Sequence, residues 1–406
     1  MFTGRKCRLD LTPEQLARCE EFGRGCAAVW NTGLEQRRAY RHRGAWINYH
    51  EQAAQLAGAK AEHLWLKAVP GHILQQTLMD LDKACRTHGT WRVNWRAQRR
   101  WVPSFRFPEG AKMKVEQLNG RHARVKLPKL GWVRFRLSRP LGGSIRSATV
   151  SRDGNRWMIS FLINDGQTTP EHHVRPNTAV GLDRGVVAAV ACSDGVVIDR
   201  ACTTRGERQR YRRLQQQLAR QRRGSNSRRK TITSMRALMQ RERDRRRDFC
   251  AQTANYLATE NSVVVMEDLK TRNMTRSAKG TVEQPGRNVR QKAGLNKAIL
   301  AKGWGQLLLA LESKARYTGS TIVKVPAAYT SQKCSACGEV DPASRESQAR
   351  FRCRHCPAPA LNADVNAARK ILAAGLAVTA CGDLDISRSV KQEPAGNREE
   401  LLLQPV

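Results

Sequence analysis

Acidic residues are scarce in this 406-residue chain: 35 Asp and Glu stand against 72 Lys and Arg, a formal net charge of +37. A soluble globular protein does not carry that excess without a polyanionic partner, because self-repulsion on this scale is tolerable mainly when phosphates neutralise it. Long apolar runs are also missing. None approaches the ~20 residues of a spanning helix, and the opening Met1-Phe-Thr-Gly-Arg-Lys-Cys-Arg8 lacks the apolar stretch of a signal peptide. The expected place of action is therefore cytoplasmic, on the nucleoid. No internal repeat is visible. Eight of the twelve cysteines are scattered singly, such as Cys19, Cys26 and Cys192, and read as small core residues in a reducing compartment. The other four are paired and need another explanation.

Three segments differ in hydrophobic period. Thr12-Pro13-Glu14-Gln15 offers an N-cap, a proline at the first helical position and a capping-box Gln. Leu16, Cys19, Phe22, Cys26 and Val29 then recur at helical steps. A second helix is expected over about 71–88, burying Ile73 or Leu74, Leu78, Leu81 and Cys85. Residues 11–95 thus read as a small basic helical domain. Over 96–176 the period becomes 2 and Gly/Pro/Asn/Asp turns intervene, which predicts an antiparallel β domain, a barrel, with residues 1–10 supplying one strand and the helical domain inserted.

From 177 onward the pattern is α/β. Strands are expected at 178–182, ending at Asp183, then at 187–192 and at 196–199 across a Ser193-Asp194-Gly195 hairpin signal. Two basic helices follow over about 206–223 and 232–259. A strand at 262–266 ends at Glu267, and the Gly/Thr/Arg-rich stretch 271–294 reads as a mobile loop. A helix over 296–318 stopped by Gly319, a strand at 321–325, the cysteine cluster and a last helix from near Asp364 complete the order of an RNase H-like domain over 177–329 and 361–380. The fold class is multidomain α+β, and the polar tail 381–406 is expected to be disordered.

Asp183, Glu267 and Asp364 stand where that order would bring three carboxylates together. Hydrolysing a phosphodiester with two Mg²⁺ (or Mn²⁺) ions about 3.5–4 Å apart needs hard oxygen ligands converging from different elements. Singly, each acid has a structural reading: a turn cap, an Arg partner, a helix cap. Cys334-Ser-Ala-Cys337 and Cys353-Arg-His-Cys356 have the spacing of a zinc ribbon, with four thiolates closing one structural Zn²⁺ site. His355 is left out of that set. The basic helices carry Arg208, Arg212, Arg213, Arg220, Arg222, Arg223, Arg228 and Arg229 with few acids between them, which favours a nucleic-acid-facing surface over a solvated face of mixed charge.

Val180-Gly-Leu-Asp-Arg-Gly185, Val265-Met-Glu-Asp-Leu-Lys270 and Asn362-Ala-Asp-Val-Asn-Ala-Ala-Arg-Lys-Ile-Leu372 resemble motifs of the TnpB proteins of bacterial insertion sequences and of the compact type V CRISPR effectors. So do Gly286-Arg-Asn-Val-Arg-Gln-Lys-Ala-Gly-Leu-Asn296 and Tyr329-Thr-Ser-Gln-Lys-Cys-Ser-Ala-Cys-Gly338. The resemblance is strong over about 177–380 and looser before. It implies a RuvC nuclease over 177–329 and 361–380, interrupted by a zinc-ribbon target-binding element at 330–360. It further implies a wedge β-barrel (1–10 and 96–176) carrying a helical recognition domain (11–95), with a lid at 271–294. By position Asp183, Glu267 and Asp364 match the family's catalytic acids. The implied partners are a guide RNA and target double-stranded DNA with a short flanking motif, for which Arg37, Tyr40, Arg41, Trp46 and Tyr49 are the contact candidates. Two departures stand out: Pro357-Ala-Pro-Ala360 in place of a Gly turn, and Arg184 where many relatives carry an apolar residue. A guide-independent RuvC-fold nuclease or transposase would share the acids, and an RNA-guided binder without cleavage should have lost one.

Overall fold

A computed structural model of the chain describes residues 1–97, 101–326, 332–347 and 349–380. The tail expected to be disordered, 381–406, and Tyr329 lie outside them. Two units emerge, Met1–Thr168 with Gln209–Gln240 and Thr169–Arg208 with Arg241–Val406.

In the first unit, strand β1 (Phe2–Asp10) leads into α1 (Pro13–His42), α2 (Tyr49–Glu62), α3 (Leu64–Ala68) and α4 (Gly71–His88). Six strands follow: β2 (Ser104–Phe107), β3 (Val115–Asn119), β4 (His122–Leu127), β5 (Gly131–Arg136), β6 (Ser144–Asp153) and β7 (Arg156–Asn164). The capping box at Thr12 forms as the sequence predicts, and Gln15 also donates to the carbonyls of Leu130 and Trp132, fastening α1 to the sheet. Leu16, expected on the apolar face, is exposed. A second capping box, Asn48 with Glu51, starts α2, a helix that periodicity did not reveal. β1 pairs antiparallel with both β7 and β5, in the sheet order β2-β6-β7-β1-β5-β4-β3.

That order is open, and no pairing among the described residues joins β2 to β3; the barrel expected from sequence does not close. Closure needs an inward apolar face on every strand. β3 is exposed beyond Val115, and β2 turns Phe105 toward Phe22 of α1 (5.7 Å) and Phe107 toward His72 of α4 (6.2 Å). Helices and sheet therefore share one core, running from Phe22, Leu34, Leu74 and Leu81 to Phe135, Ile159 and Phe161.

In the second unit, β8 (Ala179–Asp183), β9 (Val190–Cys192) and β10 (Val197–Ile198) precede α5 (Arg205–Arg220) and α6 (Asn226–Glu260), two helices that run across the division between the units. Then come β11 (Val263–Glu267), α7 (Thr271–Met274), α8 (Val289–Lys302), α9 (Trp304–Thr318), β12 (Thr321–Val325), the short pair β13 (Arg350–Phe351) and β14 (Leu361–Asn362), and α10 (Ala363–Ala380). The sheet order is β10-β9-β8-β11-β12: β8, β11 and β12 are parallel, and the β8–β9 and β9–β10 pairs antiparallel. The helix expected over 296–318 is two. Gly303, at φ +72°, breaks it, and a Cβ there would lie 3.0–3.2 Å from Arg246 and Cys250. α8 starts at Val289, inside the stretch read as a mobile loop, and its Lys292 and Asn296 donate to the carbonyls of Met274, Thr275 and Arg276, ordering the chain after α7. α10 lies against the sheet because Gly181 leaves room: a Cβ there would stand 2.1 Å from the carbonyl oxygen of Ala368. Among the described residues, no helix is long and apolar enough to cross a membrane.

Candidate metal centres and nucleic-acid surface

Parallel pairing of β8 with β11 puts Asp183 and Glu267 side by side at the carboxyl ends of the two strands, and the close approach of α10 sets Asp364 opposite them. Asn362 accepts from the N–H groups of Asp364 (2.9 Å) and Val365 (3.3 Å), so Asn362 rather than Asp364 caps α10 and the Asp364 carboxylate is left for the site. Burial, and then the charges of Glu267 and Asp364, push the Asp183 carboxyl up to about 7; Arg345 and Arg184 pull the other way. Burial raises Asp364 as well, while Arg345 lowers it. Such a knot of like charges is unfavourable in itself and fits a divalent cation as its counter-charge. Among the described residues, the four ribbon cysteines form a group whose ligand atoms all lie within 4.8 Å of one another.

Two arginines at this site were not assigned from sequence. Arg184 is 4 % exposed and donates to the carbonyl of Glu267. Arg345, on the ribbon, comes within 3.8 Å of Asp364. Ser344 anchors that turn, donating to Asp341 (2.9 Å) and accepting from the Arg354 N–H (3.2 Å). Arg345 gives no signal by spacing, because only the folded ribbon reaches the acids.

The cysteine knuckles close. Cys334 Sγ lies 3.8 Å from Cys356 Sγ, and Cys337 Sγ 3.6 Å from Cys353 Sγ. Four sulfurs at about 2.3 Å from a tetrahedral Zn²⁺ would be about 3.8 Å apart, whereas a disulfide needs about 2.0 Å. The cluster fits zinc. Backbone N–H groups of Ala336 and His355 point at the sulfurs of Cys334 and Cys353, while the His355 ring faces Asp341, outside the four-sulfur set. Asn366 of α10, fully buried, accepts from the Ser335 N–H and donates to the Lys333 carbonyl, tying the first knuckle to the helix that carries Asp364. The second Asn of Asn362-Ala-Asp-Val-Asn366 was the available clue.

The nucleic-acid candidates divide. Arg208, Arg212, Arg213, Arg220, Arg222 and Arg223 are exposed with no ion-pair partner among the described residues, and no residue of α5 is buried. Arg229 is exposed near Asn226. Arg228 instead donates to the carbonyls of Leu218 and Gln221, capping the end of α5. Tyr40, Arg41 and Trp46 are exposed, with the Arg41 guanidinium 4.0 Å from the Trp46 ring centre, whereas Tyr49 packs against the core. Arg37 does not belong with them. It is 2 % exposed, meets Asp82 at 2.8 Å and donates to Gln52 at 2.8 Å, a cation taken up by the packing of α1, α2 and α4. Asp82→Leu leaves that cation buried with its ion-pair partner removed, so we expect a loss of about 3–5 kcal/mol of stability. Chemical denaturation of the two proteins measures it; a change below about 1 kcal/mol would return Arg37 to the surface candidates.

Three family models match the chain: a "Helix-turn-helix domain" of the OrfB_IS605 group over residues 1–45, a "Probable transposase" of the same group over 162–278, and "Cas12f1-like, TNB domain" over 304–371. In this chain residues 1–45 form one strand and one 30-residue helix rather than two helices about a turn. The sequence is 38% identical over 396 residues to "Putative RNA-guided DNA endonuclease InsQ" of Escherichia coli (strain K12), covering 95% of this chain and 96% of that protein. It is 33% identical to "Putative RNA-guided DNA endonuclease" of Streptomyces pristinaespiralis, covering 96% and 95%. Among solved structures its fold resembles the protein of "Cryo-EM structure of the Cas12f1-sgRNA-target DNA complex", with a TM-score of 0.55 and 15% identity over 88% of this chain and 82% of that one. The chain is a multidomain α+β protein of the Cas12f1-like fold. It belongs to the TnpB family of transposon-associated RNA-guided nucleases, the OrfB proteins of IS605-type elements.

Proposed function

We propose that this protein is an RNA-guided DNA endonuclease that cuts guide-complementary DNA beside a short flanking motif with a single RuvC site. The observation that carries the reading is the gathering of Asp183, Glu267 and Asp364 at one end of the β8–β11 pair, where burial and then the charges of the other two push the Asp183 carboxyl up to about 7. In this reading 177–329 and 361–380 are an RNase H-like nuclease and 330–360 a zinc-binding target element. Residues 1–10 and 96–176 are a wedge, 11–95 a recognition domain, and 271–294 a lid. Two Mg²⁺ or Mn²⁺ ions held by the three acids would supply Lewis-acid charge and a water of lowered pKa. The chain's own residues do the rest. Arg345 stands at the edge of the acids as a fixed cation to meet the scissile phosphate, and Arg184 holds the Glu267 backbone in place. The exposed arginines of α5 neutralise guide phosphates, so that the protein reads duplex shape while base pairing reads sequence.

A plasmid library with randomised flanks, cut with a matched guide, a scrambled guide or no RNA, tests this. Cutting is expected only with the matched guide and one flanking motif, and mismatches next to that motif should be the most damaging because pairing nucleates there. Equal cutting in all three arms would leave a guide-independent nuclease as the better account.

A further inference from the structure

Between Asp82 and Glu109 the chain carries seven Lys or Arg and no carboxylate, and it places Trp91 and Trp95 four residues apart. Both stay exposed in the fold, at 55 % and 43 %. Indole surface of this size is normally buried, so a fixed exposed pair needs a reason. Mobility does not supply one, because the segment is fastened along α1. Trp30 donates to the Asn94 carbonyl at 3.1 Å, Asn31 accepts from the Arg96 N–H at 2.8 Å, and Arg38 donates to the carbonyls of Val93 (2.9 Å) and Trp91 (3.4 Å).

Arg38 also sits between the two rings, its guanidinium 5.6 Å from the Trp91 centre and 4.9 Å from the Trp95 centre, and His42 meets Trp91 edge-on at 4.7 Å. The alternation repeats further along α1, where the Arg96 guanidinium lies 4.0 Å from the Trp30 ring. Each exposed indole thus has a cation near its ring and about half its surface open to solvent. Open aromatic surface held beside guanidinium groups, in a stretch without carboxylates, suits an unpaired nucleobase on its phosphate chain. A duplex hides its base faces and could use only the charge.

We propose that Trp91 and Trp95, with Arg38 between them, form a stacking platform for a single-stranded nucleic-acid segment. The proposal deepens the nuclease reading by naming a contact surface distinct from the flanking-motif candidates. RNA and DNA single strands share the chemistry, and the test separates them.

Full-length chain, freed of RNA, is titrated with fluorescent 15-nucleotide oligothymidylate, oligouridylate and a 15-base-pair duplex, using wild type, Trp91→Leu/Trp95→Leu and, as control, Trp65→Leu, an exposed tryptophan on α3. The double variant should bind one or both single strands about tenfold or more weakly, as expected for stacking on two rings. Duplex binding and the slope against salt should not change, because no charge is removed. The strand that loses affinity identifies the source. An equal loss on duplex, a matching loss in the control, or no loss on either single strand overturns the proposal. Because the assay needs no guide and no cleavage, its failure is separate from failure of the nuclease reading.

Discussion

Alanine at Asp183, Glu267 or Asp364 is expected to lower guided cleavage by at least about three orders of magnitude while target binding stays within a few-fold of wild type. In the proposed mechanism these carboxylates would hold the ions and act on the transition state, where charge develops, and not on docking along a guide–target duplex. Single-turnover cleavage and filter binding on the same preparations separate the two effects. A variant that kept near wild-type rates would remove its residue from the site.

Asp183 adds a second readout, in stability. Its carboxyl rises from the ordinary 3.8 to about 7 in the metal-free fold, mainly through burial and then through Glu267 and Asp364. Between those values the folded state binds more protons than the unfolded chain, so metal-free stability should fall as pH rises through that window and level off above about 7. Asp183→Asn removes the buried charge. It should therefore melt higher than wild type at pH 8 in chelator, although it cannot cut. Added Mg²⁺ should raise the melting temperature of wild type and not of the variant.

Cys353→Ser is expected to lose the zinc ion, at one ion per wild-type chain, and to reduce cleavage strongly. Among the described residues the ribbon's own core is small: Phe351, Ala363, Cys334 and Cys353, with Cys356 packed against them. Four thiolates on zinc contribute about 10–16 kcal/mol of apparent binding energy in small zinc domains, more than so few apolar contacts can replace. The loss should reach the acids, because the same ribbon positions Arg345 at 3.8 Å from Asp364 and is tied to α10 through Asn366. Most of the sheet and helical structure should survive, since the other cores lie elsewhere. Elemental analysis of chelator-free protein and cleavage on one preparation check both halves; wild-type protein without zinc would defeat the prediction.

Much of this was written locally. The capping box of Thr12, the turn at Ser193-Asp194-Gly195 and the stop at Gly319 depend on residues within one turn of each other, and each forms as the residues predict. The two knuckles were legible because two-residue spacing fixes a pair of thiolates whatever the surrounding fold. The misreadings share a different cause. Leu16, Gly303 and Val289 were assigned from period and composition, which do not report what lies across the core. Arg37 looked like its neighbours in a basic stretch, yet α4 brings Asp82 against it from 45 residues away.

By itself, then, the sequence determined a polyanion-binding character, a four-thiolate site and three acids placed at the ends of three separate elements, since charge, ligand type and spacing are properties of the chain. Only the tertiary structure decided which charges are available. It buried Arg37, used Arg228 to cap α5, kept the β-sheet open at β3, and brought Arg345 and the indoles of Trp91 and Trp95 to positions no spacing predicts. The physical reason is that an arginine, a tryptophan or a strand takes its role from what packs against it, and for Arg37 and the two indoles those partners lie far away along the chain.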